Sequence, residues 1–144
     1  MDAVVVYASQ FGNTRQIAEA IGRGLGPDAR VLEADGFSPA QLSPGSLLVV
    51  GSPIVGWKPL EGLGVWLDGL VPGVLDGVRT AAFDTRVKLF IHGDAAKKIE
   101  QALEKAGAER AADPTWYYVA GSEGPLLDGE IERAEAWGRE LAAA

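Results

Sequence analysis

Cysteine is absent from the chain, and histidine occurs once, as His92. The first absence removes disulfides, thiolate nucleophiles, iron–sulfur clusters and cysteine-zinc sites. The second removes any metal site built from several histidines. Positive charge is in short supply: 13 lysines and arginines against 20 acids leave a net charge of −7 at pH 7. That balance argues against a nucleic-acid binder, which needs a basic face to neutralise phosphates. No apolar run approaches the roughly 20 residues that span a bilayer, and Met1-Asp2 opens no signal-peptide pattern. The expectation is a cytoplasmic protein without membrane insertion, whose demanding chemistry comes from a bound cofactor or from carboxylates. A chain of 144 residues is expected to form one domain, 1–144, large enough to bury a core without staples.

What is present alternates between two kinds of segment. Ala3 to Ala8 and Ser46 to Gly51 are continuous apolar runs rich in valine and leucine, as in strands covered on both faces. Arg30 to Ala34, Thr80 to Asp84 (followed or extended by Val87 to Ile91) and Trp116 to Ala120 read as three further strands. Asn13 to Leu25 reads as a helix, with Ile17, Ile21 and Leu25 on one stripe, stopped by Gly26-Pro27. Leu60, Leu63, Trp66, Leu67 and Leu70 have helical spacing. Ala95 to Ala106 is a helix that Gly93-Asp94 caps and Gly107 ends. Pro125 to Leu141 is an acidic amphipathic helix whose glutamates, Glu130 among them, read as its solvated face. Gly36 to Pro44 and Ser52 to Pro59 are loops. Strands alternating with helices imply an α/β fold: a doubly wound, five-stranded parallel sheet of order 2-1-3-4-5 with helices on both faces. Such sheets bind ligands beyond the carboxyl ends of their strands, which singles out the loops after Ala8, Gly51 and Asp84.

The first of these loops, Ser9-Gln10-Phe11-Gly12-Asn13-Thr14, joins the leading strand to the first helix. A helix N-terminus offers unpaired N–H groups and a partial positive charge. Ser9, Asn13 and Thr14 add hydrogen-bonding side chains, and Gly12 lets the backbone curl around an oxyanion. The loop has no lysine and no Walker spacing, which argues against nucleoside triphosphate hydrolysis. The dinucleotide Gly-x-Gly-x-x-Gly is absent too, since Gly22, Gly24 and Gly26 lie at the far end of the helix. On loop chemistry alone, a phosphate monoester site and a plain capped turn both stay open.

The run from Val5 to Ile21, Val-Val-Tyr-Ala-Ser-Gln-Phe-Gly-Asn-Thr-Arg-Gln-Ile-Ala-Glu-Ala-Ile, resembles the FMN-phosphate signature of the flavodoxin family. At lower specificity the resemblance extends over the chain. Leu48 to Pro53 is similar to the family's third strand and flavin loop, and Glu123 to Glu130 with Trp137-Gly138 to its last helix. The resemblance implies a flavodoxin-like fold, FMN as cofactor, and a phosphate held by Ser9 to Thr14. It also implies that the loops after the third and fourth strands flank the isoalloxazine ring.

Within Ser52-Pro53-Ile54-Val55-Gly56-Trp57-Lys58-Pro59, Trp57 is the candidate stacking partner. The resemblance implies that a peptide at Gly56 turns its carbonyl toward the flavin on one-electron reduction. After the fourth strand the chain departs from the family, which places Gly-x-Gly-Asp and an aromatic there. Here Asp84, Thr85 and Arg86 occupy that place, and the stacking tyrosine has no counterpart. Thr85 is a candidate for the pyrimidine edge of the ring and Arg86 for the flavin or an anionic partner, unless Asp84 and Arg86 form an ordinary surface pair. His92 is a candidate acid–base group or a cap, and Trp116-Tyr117-Tyr118 reads as core and rim packing. The function expected is an FMN-binding carrier that moves electrons between redox partners bearing basic docking patches, drawn by the negative charge. Two alternatives are an FMN-dependent NAD(P)H:quinone or nitro-compound reductase, and a module of the same fold that has lost FMN and binds a protein.

Overall fold

A computed structural model describes residues 2–88 and 93–144. The expected strand Val87 to Ile91 beyond its first two residues, and His92, lie outside the described residues.

The leading strand β1 (Ala3–Tyr7) is buried at every position, because each face of the sheet carries helices. It is followed by α1 (Asn13–Leu25) and the short β2 (Arg30–Glu33). A 3₁₀ turn at Pro39–Gln41 sits in the expected loop. Next come β3 (Leu47–Val55), β4 (Lys58–Pro59) and α2 (Glu61–Asp68). The chain continues through β5 (Arg79–Val87), α3 (Ala95–Lys105), β6 (Glu109–Arg110), β7 (Thr115–Val119) and α4 (Glu130–Ala143).

Strand order runs β2-β1-β3-β5, all parallel, with β6 and β7 both on the outer side of β5. β6 pairs with Arg79 and Thr80, and β7 with Phe83 to Val87. The two are successive stretches of one edge strand, separated by a short bulging segment. Counting them once gives the expected five-stranded order.

Two apolar layers sandwich the sheet. Val5, Phe83 and Tyr117 face Ile17 and Ile21 of α1 and Ala134 and Leu141 of α4. Val4, Val6 and Val50 face Leu63 and Leu67 of α2 and Ile99 and Leu103 of α3. Helices α1 and α4 cross at two glycines. A Cβ on Gly138 would stand 2.3 Å from the Ile21 carbonyl oxygen, and one on Gly24 would stand 2.1 Å from that of Glu135. These residues serve helix packing, which explains a glycine late in α1 that no nucleotide motif accounts for.

Three boundaries differ from the sequence reading. β3 runs on through Ser52, Pro53 and Ile54 to Val55, where a loop was expected. The Gly51 carbonyl accepts the Ala8 N–H, so Gly51 and, by alternation, Pro53 face the β1 edge. β1 has already ended there, and proline's missing N–H is not needed. β5 likewise continues through Thr85 and Arg86, paired with Pro53 and with Tyr118. The last helix starts at Glu130, not Pro125. Before it, Leu127 donates its N–H to the Tyr118 carbonyl and Ala120 to that of Pro125, so the segment 125–127 folds back on β7.

Candidate functional site at the carboxyl edge of the sheet

A cavity of about 420 Å³ opens beyond the carboxyl ends of β1, β3 and β5, the place the topology dictates. Its first wall is the turn into α1. Gly12 adopts φ +92° there, a left-handed conformation that suits glycine, and a Cβ at this point would meet nothing within 4 Å. The Gly12 N–H donates to Ser9 Oγ at 3.0 Å, which curls the turn on itself. The first three N–H groups of α1, on Asn13, Thr14 and Arg15, have no acceptor inside the helix, and no acidic side chain stands in its first turn. Gln10, Phe11, Asn13 and Thr14 line the cavity.

Thr14 is buried, and its hydroxyl lies 2.8 Å from that of Thr85 on β5, which is also buried. Of two such hydroxyls one donates to the other, and the second keeps its proton for another acceptor. The pair therefore ties α1 to β5 and still offers one O–H at the cavity wall. Asn13 Nδ2 donates to the Glu123 carbonyl at 3.1 Å, while its side-chain amide lies where a Cβ of Gly124 would be. This contact brings the segment after β7 to the site, and with it Val119 and Ser122.

The second wall is a hairpin. β3 and β4 pair antiparallel, Val55 with Lys58 and Ile54 with Pro59, around Gly56 (φ +58°) and Trp57 (φ +69°). Positive φ at both central residues is the turn that matches strand twist, yet for a bulky residue it costs roughly 1–2 kcal/mol. Two contacts hold Trp57 there. Lys98 Nζ donates to its carbonyl at 3.0 Å, and Gly93 packs so closely that a Cβ would lie 2.3 Å from Trp57 Cα. Pro53, Ile54, Val55, Gly56 and Trp57 all line the cavity, and Trp57 remains 57% exposed.

Asp84 and Arg86 are not a surface pair. Both are buried, and Arg86 grips the carboxylate with Nε at 2.8 Å and Nη2 at 2.6 Å. Asp84 Oδ2 also accepts the Ala95 and Ala96 N–H groups at 3.2 and 2.9 Å. Burial pushes the Asp84 carboxyl above the ordinary carboxylate range, against the opposing pull of Arg86 and the Ala96 N–H. The guanidinium lies 4.5 Å from the centre of the Trp116 ring and 3.7 Å from Asp94. Asp94 caps α3 as expected, accepting the Lys97 N–H at 2.8 Å.

Of the residues expected at the site, eleven line this cavity, including Thr85 and Arg86. Four do not. Ser9 and Gly12 shape the turn; Ser9 borders the neighbouring cleft. Ser52 Oγ donates to the Pro53 carbonyl and accepts the Leu60 N–H, and Asp84 serves α3. Val87, Gly93, Val119 and Ser122 line the cavity without having been singled out. The carboxyl-edge rule applied to the fifth strand, as to the first three loops, finds Val119 and Ser122.

A doubly wound sheet with a lysine-free oxyanion turn at its switch point, beside a cavity with apolar walls, defines a binder of a phosphorylated, largely flat ligand. The chain belongs to the flavodoxin family, whose model, described as Flavodoxin, matches residues 5–137. It is an FMN-binding electron-transfer protein. No curated protein matches the chain. Among solved structures it is similar to a flavodoxin from the domain Archaea, with 23% identity, a TM-score of 0.79, and coverage of 99% of this chain and 97% of that one. It is also similar to oxidised flavodoxin 1 from Bacillus cereus, at 18% identity and a TM-score of 0.82 over 99% of this chain and 98% of that one. Rubredoxin oxygen:oxidoreductase from Desulfovibrio gigas matches at 17% identity and a TM-score of 0.75, over 99% of this chain but 35% of that one. At these identities the likenesses speak to the fold.

Proposed function

We propose that the cavity between the α1 turn and the Trp57 hairpin is the FMN site, and that the protein works as an electron carrier between redox partners. One observation carries the reading. The unpaired N–H groups that open α1 and the spare hydroxyl of the Thr14–Thr85 pair converge on a cavity whose other wall is Ile54, Val55 and Trp57. Neutral donors fit a phosphate monoester, and apolar walls fit a flat aromatic ring.

Bound FMN supplies the one- and two-electron chemistry of its ring. The chain's residues do the rest. Asn13, Thr14 and Arg15 present N–H donors to the phosphate, and Gly12 permits the curl that aims them. Val55 and Trp57 would shield one side of the ring from water. Thr85 couples the turn that would hold the phosphate to β5. The Asp84–Arg86 pair adds a fixed dipole at the end of β5 and no net charge, so Arg86 neither attracts nor repels an anion as a free cation would.

The purified protein, incubated with FMN and desalted, is expected to keep a flavin absorption band. Thr14→Val is expected to weaken FMN binding by about 1–3 kcal/mol, the usual cost of removing a buried hydrogen-bonding group. A colourless protein after desalting refutes the reading, and an unchanged dissociation constant in the variant removes Thr14 from it. Steady turnover of NAD(P)H with a quinone by this protein alone would make it a reductase and not a carrier.

A further inference from the structure

We propose that Lys98, which is not among the residues lining the cavity, is a positioning residue of the cofactor site. From the first turn of α3 it holds the Trp57 hairpin in the shape that forms the second wall; the inference rests on the FMN-site reading. Its basis is how little the hairpin holds itself. It pairs Val55 with Lys58 and Ile54 with Pro59, and a proline gives no N–H to a ladder. A ribbon this short is marginal by itself. The Leu60 N–H closes its base on Ser52 Oγ at 2.8 Å. Its tip is strained, since a tryptophan stands there at φ +69°. A residue with a Cβ leaves that region unless its surroundings hold it.

What holds the tip comes from α3. The Lys98 ammonium donates to the Trp57 carbonyl at 3.0 Å, across 41 residues of chain. A Cβ on Gly93 would lie 2.3 Å from Trp57 Cα and 2.6 Å from its carbonyl carbon, so the backbone before the helix abuts the tip. This end of α3 is itself fixed. Asp84 Oδ2 accepts the N–H groups of Ala95 and Ala96, and Asp94 Oδ1 accepts that of Lys97. Position therefore passes from the end of β5, through the first turn of α3, to the hairpin. Glu61 and Asp68 border the cleft that Lys98 shares with Val55 and Gly56. Lys98 thus supplies placement of a carbonyl and not an excess of positive charge.

Val55, Gly56 and Trp57 all belong to the wall against which a flat ring would lie. A hairpin free to leave this shape presents the wall for only part of the time, and the apparent affinity falls by that fraction. The lysine therefore contributes to FMN affinity from outside the cavity.

Two measurements test this, and one needs no flavin. In fluorescence titrations with FMN, Lys98→Met is expected to raise the dissociation constant about three- to tenfold. Lys98→Arg keeps a cationic donor and is expected to bind within about twofold of the native protein. Lys97→Met removes the same charge one residue away and is expected to leave the constant unchanged. In the protein without FMN, the ¹⁵N heteronuclear NOE at Gly56, Trp57 and Lys58 is expected to fall in Lys98→Met and to recover in Lys98→Arg. The thermal midpoint is expected to stay at the native value, because the contact is exposed. Gly93→Ala, whose methyl displaces the tip, is expected to move the amide signals of Val55 to Lys58 and to weaken FMN binding. An unchanged dissociation constant in Lys98→Met, an equal loss in Lys97→Met, or an unaltered NOE at the hairpin overturns the proposal. A native protein that keeps no flavin refutes the FMN-site reading, and the NOE then decides alone whether Lys98 positions the hairpin.

Discussion

Asp84 is the residue that ties the end of β5 to the start of α3. Its carboxylate is shared among the Arg86 guanidinium and the first two N–H groups of α3, so one buried anion fixes a strand end and a helix start together. A buried ion pair is weak evidence of stability, because desolvating two charges offsets most of their attraction; breaking it is another matter, since the surviving charge is left alone in the interior. Asp84→Ala is expected to destabilise the protein by about 3–5 kcal/mol in urea denaturation, while Asp84→Ala combined with Arg86→Met recovers a large part of that loss. Equal destabilisation in the two variants would show that the N–H groups of Ala95 and Ala96, and not the stranded guanidinium, carry the cost. From the sequence, Asp84 and Arg86 read as residues of a cofactor loop or, alternatively, as a surface pair, because burial of a charge becomes visible only when its partners are placed.

At the scale of elements, the α1–α4 crossing leaves no room for a methyl group. Gly138→Ala would drive a methyl against the Ile21 carbonyl, which neither helix can relieve without separating; the expected loss is about 1–3 kcal/mol. Gly64→Ala supplies the contrast. It lies in α2 with open space where the methyl goes, and the better helix former is expected to raise stability by up to about 1 kcal/mol. Thermal midpoints of both variants against the native protein check the pair. Glycine positions also mark how far the sequence could be read. The strand order, α1 and α3 follow from apolar periodicity, and the strand-to-helix turn at Ser9 to Thr14 from its residue types. The hairpin does not, because Gly56-Trp57 carries a tryptophan where asparagine or glycine usually signals such a turn. The extension of β5 was hidden by Thr85 and Arg86, polar residues that reach buried partners across the fold. The late start of α4 was hidden by Leu126 and Leu127, which suit a helical stripe as well as they suit the edge of β7.

At the scale of the whole molecule, the acid side of the stability profile has an identifiable contributor. Glu130 is not on a solvated face. Its Oε2 accepts the Tyr118 N–H at 2.7 Å and both oxygens engage Arg133, which also bonds the Trp116 carbonyl. Burial alone would raise this carboxyl, but the Arg133 and Tyr118 hydrogen bonds outweigh it and hold it below the ordinary glutamate value. A depressed carboxyl contributes stability that is fully present above its unfolded value of about 4.3 and is lost as pH falls through the lower folded value. Unfolding midpoints of the native protein and of Glu130→Gln, followed from neutral pH downward, are expected to converge in that acid range. A constant gap between them would assign the contribution to packing.

Consecutive residues of β5 answer to opposite layers of the molecule. Thr85 reaches the Thr14 hydroxyl on the α1 side, and Arg86 reaches the carboxylate that anchors α3 on the other. The floor of the cavity is therefore a strand that both apolar layers share. A molecule seated on that strand would bear on both layers at once, as a keystone does on the two limbs of an arch.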